Sequence, residues 1–189
     1  MNLYWRLLLA LLSGARAERL PHDALFIKRF RVWPHDLDAF GHMNNGRYLQ
    51  IMDVARAEWM VRTGVFSEMR KHRWTALLGG GMNRFRRHLK LGQRYEVRTH
   101  LICWDQRWFY FEHRFVDAQT RVIAVGFSQA ALRDGRGWVG ADRVADVVAP
   151  GASSPRMPAY LAQWLQADAA MCCPAERAAE SSPVVEVAL

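Results

Sequence analysis

Residues 34–48 read PHDLDAFGHMNNGRY, and this stretch decides how the rest of the chain is interpreted. Two aspartates, two histidines, two adjacent asparagines and two glycines stand directly before a long apolar segment. Asn44 or Asn45 can cap a helix that begins here, because a side-chain oxygen at this position accepts a backbone N–H. Asp38 lies several residues upstream, where no cap is needed, and is therefore a candidate for chemistry.

The segment after this stretch predicts a buried helix over residues 46–63. Apolar residues recur at helical spacing and cover much of the circumference, which is typical of a helix enclosed by other elements. The recurring positions are Tyr48, Met52, Ala55 and Trp59. Gly64 follows directly and is the usual residue at a helix C-terminus.

Strand-like runs surround this helix in the chain. One run begins at Phe26, and three more cover residues 95–104, 108–116 and 122–132, with short polar turns between them. A helix that is apolar on nearly all sides needs apolar surface on several sides. We therefore predict an α+β protein in which an antiparallel sheet wraps around one long central helix, the architecture called the hotdog fold.

Length and composition set further limits. The 189 residues, with a formal net charge of +8 and a pI near 10.0, suit one domain that favours anionic partners. We divide the chain into an apolar N-terminal segment (1–24), the hotdog domain (25–149), an extension with a short helix near residues 160–168 (150–170) and a tail expected to be disordered (171–189). Cys103, Cys172 and Cys173 have no metal-type spacing, which indicates a reducing, cytoplasmic compartment.

The N-terminal segment leaves alternatives open. Leu3–Leu12 is apolar apart from Arg6, and residues 15–17 resemble a signal-peptide cleavage site. The missing positive charge before the apolar run counts against secretion. A membrane contact through residues 1–20, with the helix lying at the interface, and simple packing on the domain both remain as interpretations.

The stretch from Asp36 to Asn45, followed by Tyr48, resembles the signature of hotdog-fold acyl-CoA thioesterases, in particular the 4-hydroxybenzoyl-CoA thioesterase and YbgC-like group. The resemblance extends from Phe26 to Leu132, with Tyr95–Thr99 and Trp104-Asp105 as further matches. It is closest to a little-characterised branch with an apolar N-terminal segment.

This resemblance implies roles for individual residues. Asp38 would be the nucleophile or the general base toward water. From its position beside Asp38, His42 could orient Asp38 or the water, and a structural role at the turn is the alternative. Asn45 and Gly46, at the positive end of the helix, would polarise the thioester carbonyl. Further expected substrate-binding residues beside them are Asn44 and Tyr48.

A basic segment, Arg84–Lys90, is the candidate for holding the phosphates of coenzyme A. If the segment is a strand, Arg84, Arg86 and His88 share one face with Lys90. The same face could be a solvated surface or a surface for acidic lipid.

Other groups are weaker candidates. His35, Asp36, Asp38 and His42 could suggest a metal, but no further ligand cluster supports one and thioesterases of this kind need none, so we expect neither metal nor cofactor. Glu58 is a reserve acid, and an Asp53–Arg56 pair is expected to hold the helix. A second catalytic polar residue on the strands is not identified; the unranked candidates are Thr75, Asn83, Ser128 and Gln129.

Three functions are compared. The first is hydrolysis of acyl-CoA or acyl carrier protein thioesters, by a homodimer or a dimer of dimers as the family likeness implies. The second is an acyl-thioester binding module without turnover. The third, nucleic-acid binding, is disfavoured because the aromatic residues on the strands are equally required as core and the charge is spread over the chain.

Overall fold

The computed structural model describes residues 3–171. The chain forms two compact units, residues 1–155 and 156–189. In the first unit the helices are α1 (Leu3–Arg16), α2 (Asn45–Thr63), α3 (Val65–His72) and α4 (Ala141–Val148), and the strands are β1 (Phe26–Arg31), β2 (Thr75–Phe85), β3 (Arg94–Trp104), β4 (Phe109–Val116), β5 (Val122–Asp134) and β6 (Gly137–Val139). The second unit contains α5 (Ala159–Met171), which includes the short helix predicted near residues 160–168. The predicted disordered tail lies almost wholly outside the described residues.

The strands form one antiparallel sheet in the order β1-β3-β4-β5-β2, and the short β6 pairs with the end of β5. One face of the sheet packs on α2. Tyr48 of α2 contacts the rings of Phe85 and Phe115, and Trp59 contacts Phe111 edge-on. A curled antiparallel sheet around a central helix is the predicted hotdog architecture, and that prediction is confirmed.

The ends of α2 follow from local chemistry. The Asn44 side chain accepts the Gly46 N–H at 2.8 Å, as an N-cap does. Gly64 has φ 86°, a left-handed conformation that favours glycine, and it ends the helix. The sequence therefore placed both ends within one residue.

Helix α1 packs against α2 and the first strand. The buried residues of α1 are Arg6, Ala10 and Gly14, which share one face at four-residue spacing. A Cβ atom at Gly14 would lie only 3.1 Å from Val61, so the two helices cross closely there. Among residues 3–171 no helix is long and apolar enough to cross a membrane.

Three elements of the first unit were not predicted from the sequence: α3, α4 and β6. The 8-residue α3 and α4 are short, although α4 does carry a helical pattern, with apolar residues at Ala141, Val144, Ala145 and Val148. Buried Ala141, Val144 and Ala145 attach α4 to the hydrophobic core.

Candidate active site

Asp38 lies in a tight loop before α2, and one of its carboxylate oxygens holds that loop together. Asp38 Oδ1 accepts the backbone N–H groups of Phe40 (2.9 Å) and His42 (3.1 Å). The Asp38 N–H donates to the His42 carbonyl at 2.8 Å, and Gly41 takes φ 75° to close the turn. Asp38 therefore has a structural duty that the sequence did not reveal. Within residues 3–171 its Oδ2 makes no hydrogen bond, so one oxygen is fixed and the other is available.

The first turn of α2 leaves one backbone donor free. The Asn44 side chain occupies the Gly46 N–H, and the Arg47 N–H donates to the Asn44 carbonyl at 2.9 Å. The Asn45 N–H makes no hydrogen bond within the described part of the chain. The polarising donor predicted at Asn45 and Gly46 is thus reduced to the Asn45 N–H, which lies at the positive end of the helix.

The loop is anchored on both sides by backbone hydrogen bonds. Met43 N–H donates to the Leu89 carbonyl and Asn44 N–H to the Asp36 carbonyl, each at 2.8 Å. His42 also forms an isolated bridge with Lys90. These bonds attach the loop to the segment after β2, which is how residues from distant parts of the sequence meet at the site.

The ring of His42 does not contact Asp38 as predicted. It stacks on the ring of His88, with centroids 4.4 Å apart, and only the backbone N–H of His42 reaches the Asp38 carboxylate. Two imidazoles are therefore placed beside the loop. Tyr48, predicted to bind substrate, is buried, and burial raises the pKa of its phenol to about 12, so it remains protonated at neutral pH.

The buried carboxylate of Asp36 connects the start of the Asp38 loop to helix α1. Its carboxylate accepts two hydrogen bonds from Arg6, from Nη1 at 3.0 Å and Nη2 at 2.5 Å, and one from the Trp33 N–H at 2.9 Å. Arg47 Nε lies 3.8 Å away. The sequence suggested Asp36 only as a metal ligand, whereas the structure makes it the buried anchor between α1 and the Asp38 loop.

The condition that residues 84–90 form one strand is not met. Strand β2 ends at Phe85, and the N–H groups of Arg86 and Arg87 both donate to the Ile123 carbonyl, which interrupts the alternation. Arg84 remains on the outer face of the sheet opposite Val125, while His88 turns toward His42. The predicted basic face is thus divided between two places.

A different group of basic residues collects on the surface beside Val122 and Val125. A shallow depression of about 700 Å³ there is lined by Arg86, Arg87, Arg114 and Arg121. Arg121 pairs with Asp117 at 2.7 Å, and Arg114 pairs with Glu112. Four guanidinium groups around one depression could bind a phosphate or diphosphate.

A chain of buried polar side chains connects α2 to the middle of the sheet. Arg56 Nη1 donates to Ser128 Oγ at 2.8 Å, Ser128 Oγ lies 3.2 Å from His113 Nε2, and His113 Nδ1 lies 3.0 Å from Thr99 Oγ1. The Ser128 and Thr99 hydroxyls can each donate or accept, so either neutral tautomer of His113 satisfies both contacts. Burial and then the Arg56 charge lower the pKa of His113 well below its usual value, so the ring is neutral.

The remaining candidates lie elsewhere or carry other contacts. Glu58 forms a salt bridge with Lys28 and lies about 20 Å along the helix axis from Asn45, so it does not join the Asp38 loop. The Asp53–Arg56 pair is present, as predicted.

The four unranked polar residues on the strands lie in different places. Asn83 lies on the inner face of β2 opposite Gly126, and Ser128 belongs to the buried chain. Gln129 is buried on the outer face, and Thr75 is exposed at the start of β2. No group of three or more potential metal ligands occurs within residues 3–171.

The fold and the loop-to-helix site together define a hotdog-fold protein of the thioesterase kind. The family model of the Thioesterase-like superfamily matches residues 32–165, and this chain belongs to that superfamily.

Curated relatives agree with this family. The chain is 46% identical over 85 residues to Protein THEM6 of Xenopus laevis, covering 45% of this chain and 41% of that protein. It is 27% identical over 107 residues to the probable thioesterase YBR096W of Saccharomyces cerevisiae, covering 54% and 46% respectively. The chain therefore spans less than half the length of these curated relatives.

Solved structures share the fold. The probable thioesterase YbaW of Escherichia coli matches with a TM-score of 0.62 at 16% identity, over 66% of this chain and 96% of that one. BH1999, a gentisyl-coenzyme A thioesterase, matches with a TM-score of 0.54 at 26% identity, over 63% and 97%.

Proposed function

We propose that this protein hydrolyses acyl-CoA thioesters without a metal ion, with the Asp38 carboxylate as nucleophile or general base. The observation that supports this most is the half-engaged Asp38 carboxylate beside an α2 terminus whose first N–H is free. Family membership and the named thioesterases among the relatives support thioester chemistry in general.

The reaction needs a nucleophile and a stabilised oxyanion. Oδ2 of Asp38 either attacks the thioester carbonyl or takes a proton from an attacking water, while Oδ1 stays fixed by two backbone donors. The Asn45 N–H and the helix dipole stabilise the negative charge that develops on the carbonyl oxygen. The C–S bond then breaks and the thiolate leaves. If Asp38 attacked, the acyl group is now a mixed anhydride on Oδ2, which water hydrolyses to restore the carboxylate; if water attacked, the acid forms directly. By either route the net reaction converts thioester and water to carboxylic acid and thiol.

The carrier would be coenzyme A rather than a carrier protein, because the arginine depression suits a nucleotide with several phosphates. Arg86 and Arg87 line it. The His42–His88 stack lies between the loop and this basic segment, where it would contact the pantetheine portion.

Thiol release from short, long and aromatic acyl-CoAs tests the proposal. Asp38→Asn should keep the fold and lower kcat at least a hundredfold. Asp146→Asn, an exposed acid on α4, is the matched control and should be unaffected. A folded Asp38→Asn variant with normal turnover would exclude Asp38 and return attention to other acids.

A binding module without turnover is the second candidate. It predicts that the wild type binds acyl-CoA and releases no thiol from any of these substrates. The Oδ2 oxygen of Asp38 is available for chemistry because both backbone hydrogen bonds go to Oδ1, and this favours hydrolysis over the binding module.

We further propose a homodimer formed through β2. This edge strand of 11 residues is exposed along most of its length, with apolar Leu78, Met82 and Phe85 in contact with solvent. A long exposed edge strand readily pairs with another strand. Pairing with a second copy would extend the sheet and cover the neighbouring face of α2.

A further inference from the structure

Helix α1 has a second apolar face that the rest of the protein leaves uncovered. The exposed residues are Tyr4, Trp5, Leu8, Leu9 and Leu12, which we call the α1 face. Tyr4 is 76% exposed and Trp5 is 60% exposed. They lie opposite the buried face of Arg6, Ala10 and Gly14, so the side of this helix that faces away from α2 is apolar and uncovered.

A basic groove lies next to this face. It occupies about 700 Å³ between α1 and strands β1 and β3. Its apolar wall includes Leu9, Phe30 and Trp33, and its basic members include Arg29, Arg31 and Arg94. Glu96 is the one acid among the described lining residues, and it is paired with Arg29 at 3.1 Å.

We propose that the α1 face and the basic groove together form a docking site for an anionic phospholipid surface. Aromatic residues favour the boundary between headgroups and acyl chains, leucines enter the acyl region, and arginines attract headgroup phosphates. At 14 residues α1 extends about 21 Å, so it lies along the surface and does not cross it. The buried face keeps its contacts with α2 when the opposite face is docked.

Charge makes a lipid surface a better occupant than a second copy of the chain. A two-fold interface presents the same patch on both subunits. A two-fold interface that covers this groove would enclose two sets of Arg29, Arg31 and Arg94 in one interface, and this concentration of like charge is unfavourable. An anionic surface neutralises them instead.

Co-sedimentation with phosphatidylcholine vesicles, with and without phosphatidylglycerol, tests the proposal on the full chain. We expect binding only when phosphatidylglycerol is present and loss of binding at high salt. Trp5→Ser with Leu9→Ser should weaken binding at least tenfold. The matched control is Trp138→Ser, which changes a tryptophan on β6 that is 49% exposed. This variant should bind the phosphatidylglycerol vesicles as the wild type does.

The charge contribution is tested separately. Each arginine near an anionic surface strengthens binding about fivefold, so Arg29→Glu with Arg94→Glu should weaken it at least 25-fold. Arg133→Glu with Arg136→Glu is the control with the same charge change elsewhere on the surface. All variants should retain the wild-type unfolding temperature.

Any one of four results would overturn the proposal. Three of them are absence of wild-type binding to phosphatidylglycerol vesicles, equal binding to vesicles without phosphatidylglycerol, and equal weakening of binding by the control variant Arg133→Glu with Arg136→Glu. A fourth is a change in oligomeric state caused by Trp5→Ser in sedimentation experiments, which would show that the face binds a second copy.

Discussion

Arg6 and Asp36 form a bidentate ion pair in which the arginine side chain is 4% exposed and the aspartate side chain is fully buried. The pair joins the first helix to the residue two positions before Asp38. Its geometry makes α1 part of the site's support, even though α1 contributes no residue to the chemistry we propose.

Removing Arg6 should therefore unfold or loosen the loop. Arg6→Ala leaves the Asp36 carboxylate buried without its main partner, which costs about 3–5 kcal/mol of the free energy of unfolding. Denaturant titration measures this. Arg16→Ala, an exposed position at the end of the same helix, should change stability by less than about 0.5 kcal/mol. Equal stability of the two variants would contradict the anchoring role.

The backbone N–H of Asn45 can be removed by substitution with proline while helix α2 is kept. It is the first helical residue, where proline is well tolerated, and Asn44 before it has ψ 138°, which suits a residue that precedes proline. Asn45→Pro should lower kcat about 10²–10³-fold because the polarising N–H is lost. Asn45→Ala keeps that N–H and should retain most of the activity. Similar rates for the two variants would place the oxyanion elsewhere.

The arginine depression should contribute to binding of the coenzyme A nucleotide and not to binding of the acyl group. Arg86→Ala with Arg87→Ala should raise KM for acyl-CoA about tenfold or more, because charged hydrogen bonds to phosphate are lost. The same pair should leave KM for the corresponding acyl-pantetheine thioester unchanged, since that substrate carries no nucleotide. Arg133→Ala with Arg136→Ala is the control, and a rise in KM for both substrates would argue against a phosphate site.

Burial of His113 predicts an acid-sensitive fold. Its folded pKa is lowered by burial and by Arg56, whereas the unfolded chain titrates near 6.5. Below about pH 6.5 the unfolded state binds a proton that the folded state does not, so stability is full above this pH and falls as pH decreases, by up to about 1.4 kcal/mol per pH unit. Denaturant titrations across this range should show a smaller slope for His113→Gln than for the wild type. His100→Gln, on the outer face of β3, should keep the wild-type slope.

Charged residues on the β2 edge should disrupt the proposed dimer. Leu78→Lys with Met82→Lys brings like charges together across a two-fold interface and should shift the sedimentation coefficient to that of a monomer. Val147→Lys places a lysine on exposed α4 and should have no such effect. A wild type that is monomeric at all concentrations would exclude this dimer.

Patterns of apolar residues predicted the main architecture. The nearly all-round apolar character of residues 46–63 indicated a central helix, and Gly64 located its end, because both signals are local. The antiparallel sheet around this helix was predicted, whereas the order of its strands was not. The apolar pattern of α4, at Ala141, Val144, Ala145 and Val148, spans only about two turns and was missed.

The contacts that support the site could not be predicted in the same way. Arg6 and Asp36 are 30 residues apart, and nothing in either neighbourhood indicates the other. Alternation placed His113 on the inner face of β4, but the partners of a buried histidine depend on which strands lie beside it. Arg86 and Arg87 departed from the strand pattern because they share one carbonyl acceptor, a feature that residue type does not encode.

The buried chain from Arg56 to Thr99 has a consequence for how α2 is aligned. An apolar helix inside an apolar sheet could rotate or slide by a turn at little cost, because hydrophobic contacts are not directional. Hydrogen bonds through Ser128 and His113 are satisfied in only one alignment. In any other alignment Arg56 would keep Asp53, which lies on the same helix, but the buried Ser128 hydroxyl would lose the Arg56 donor. The first residues of the helix, including Asn45 and its N–H, are therefore held in orientation by hydrogen bonds about three turns away, in the middle of the protein.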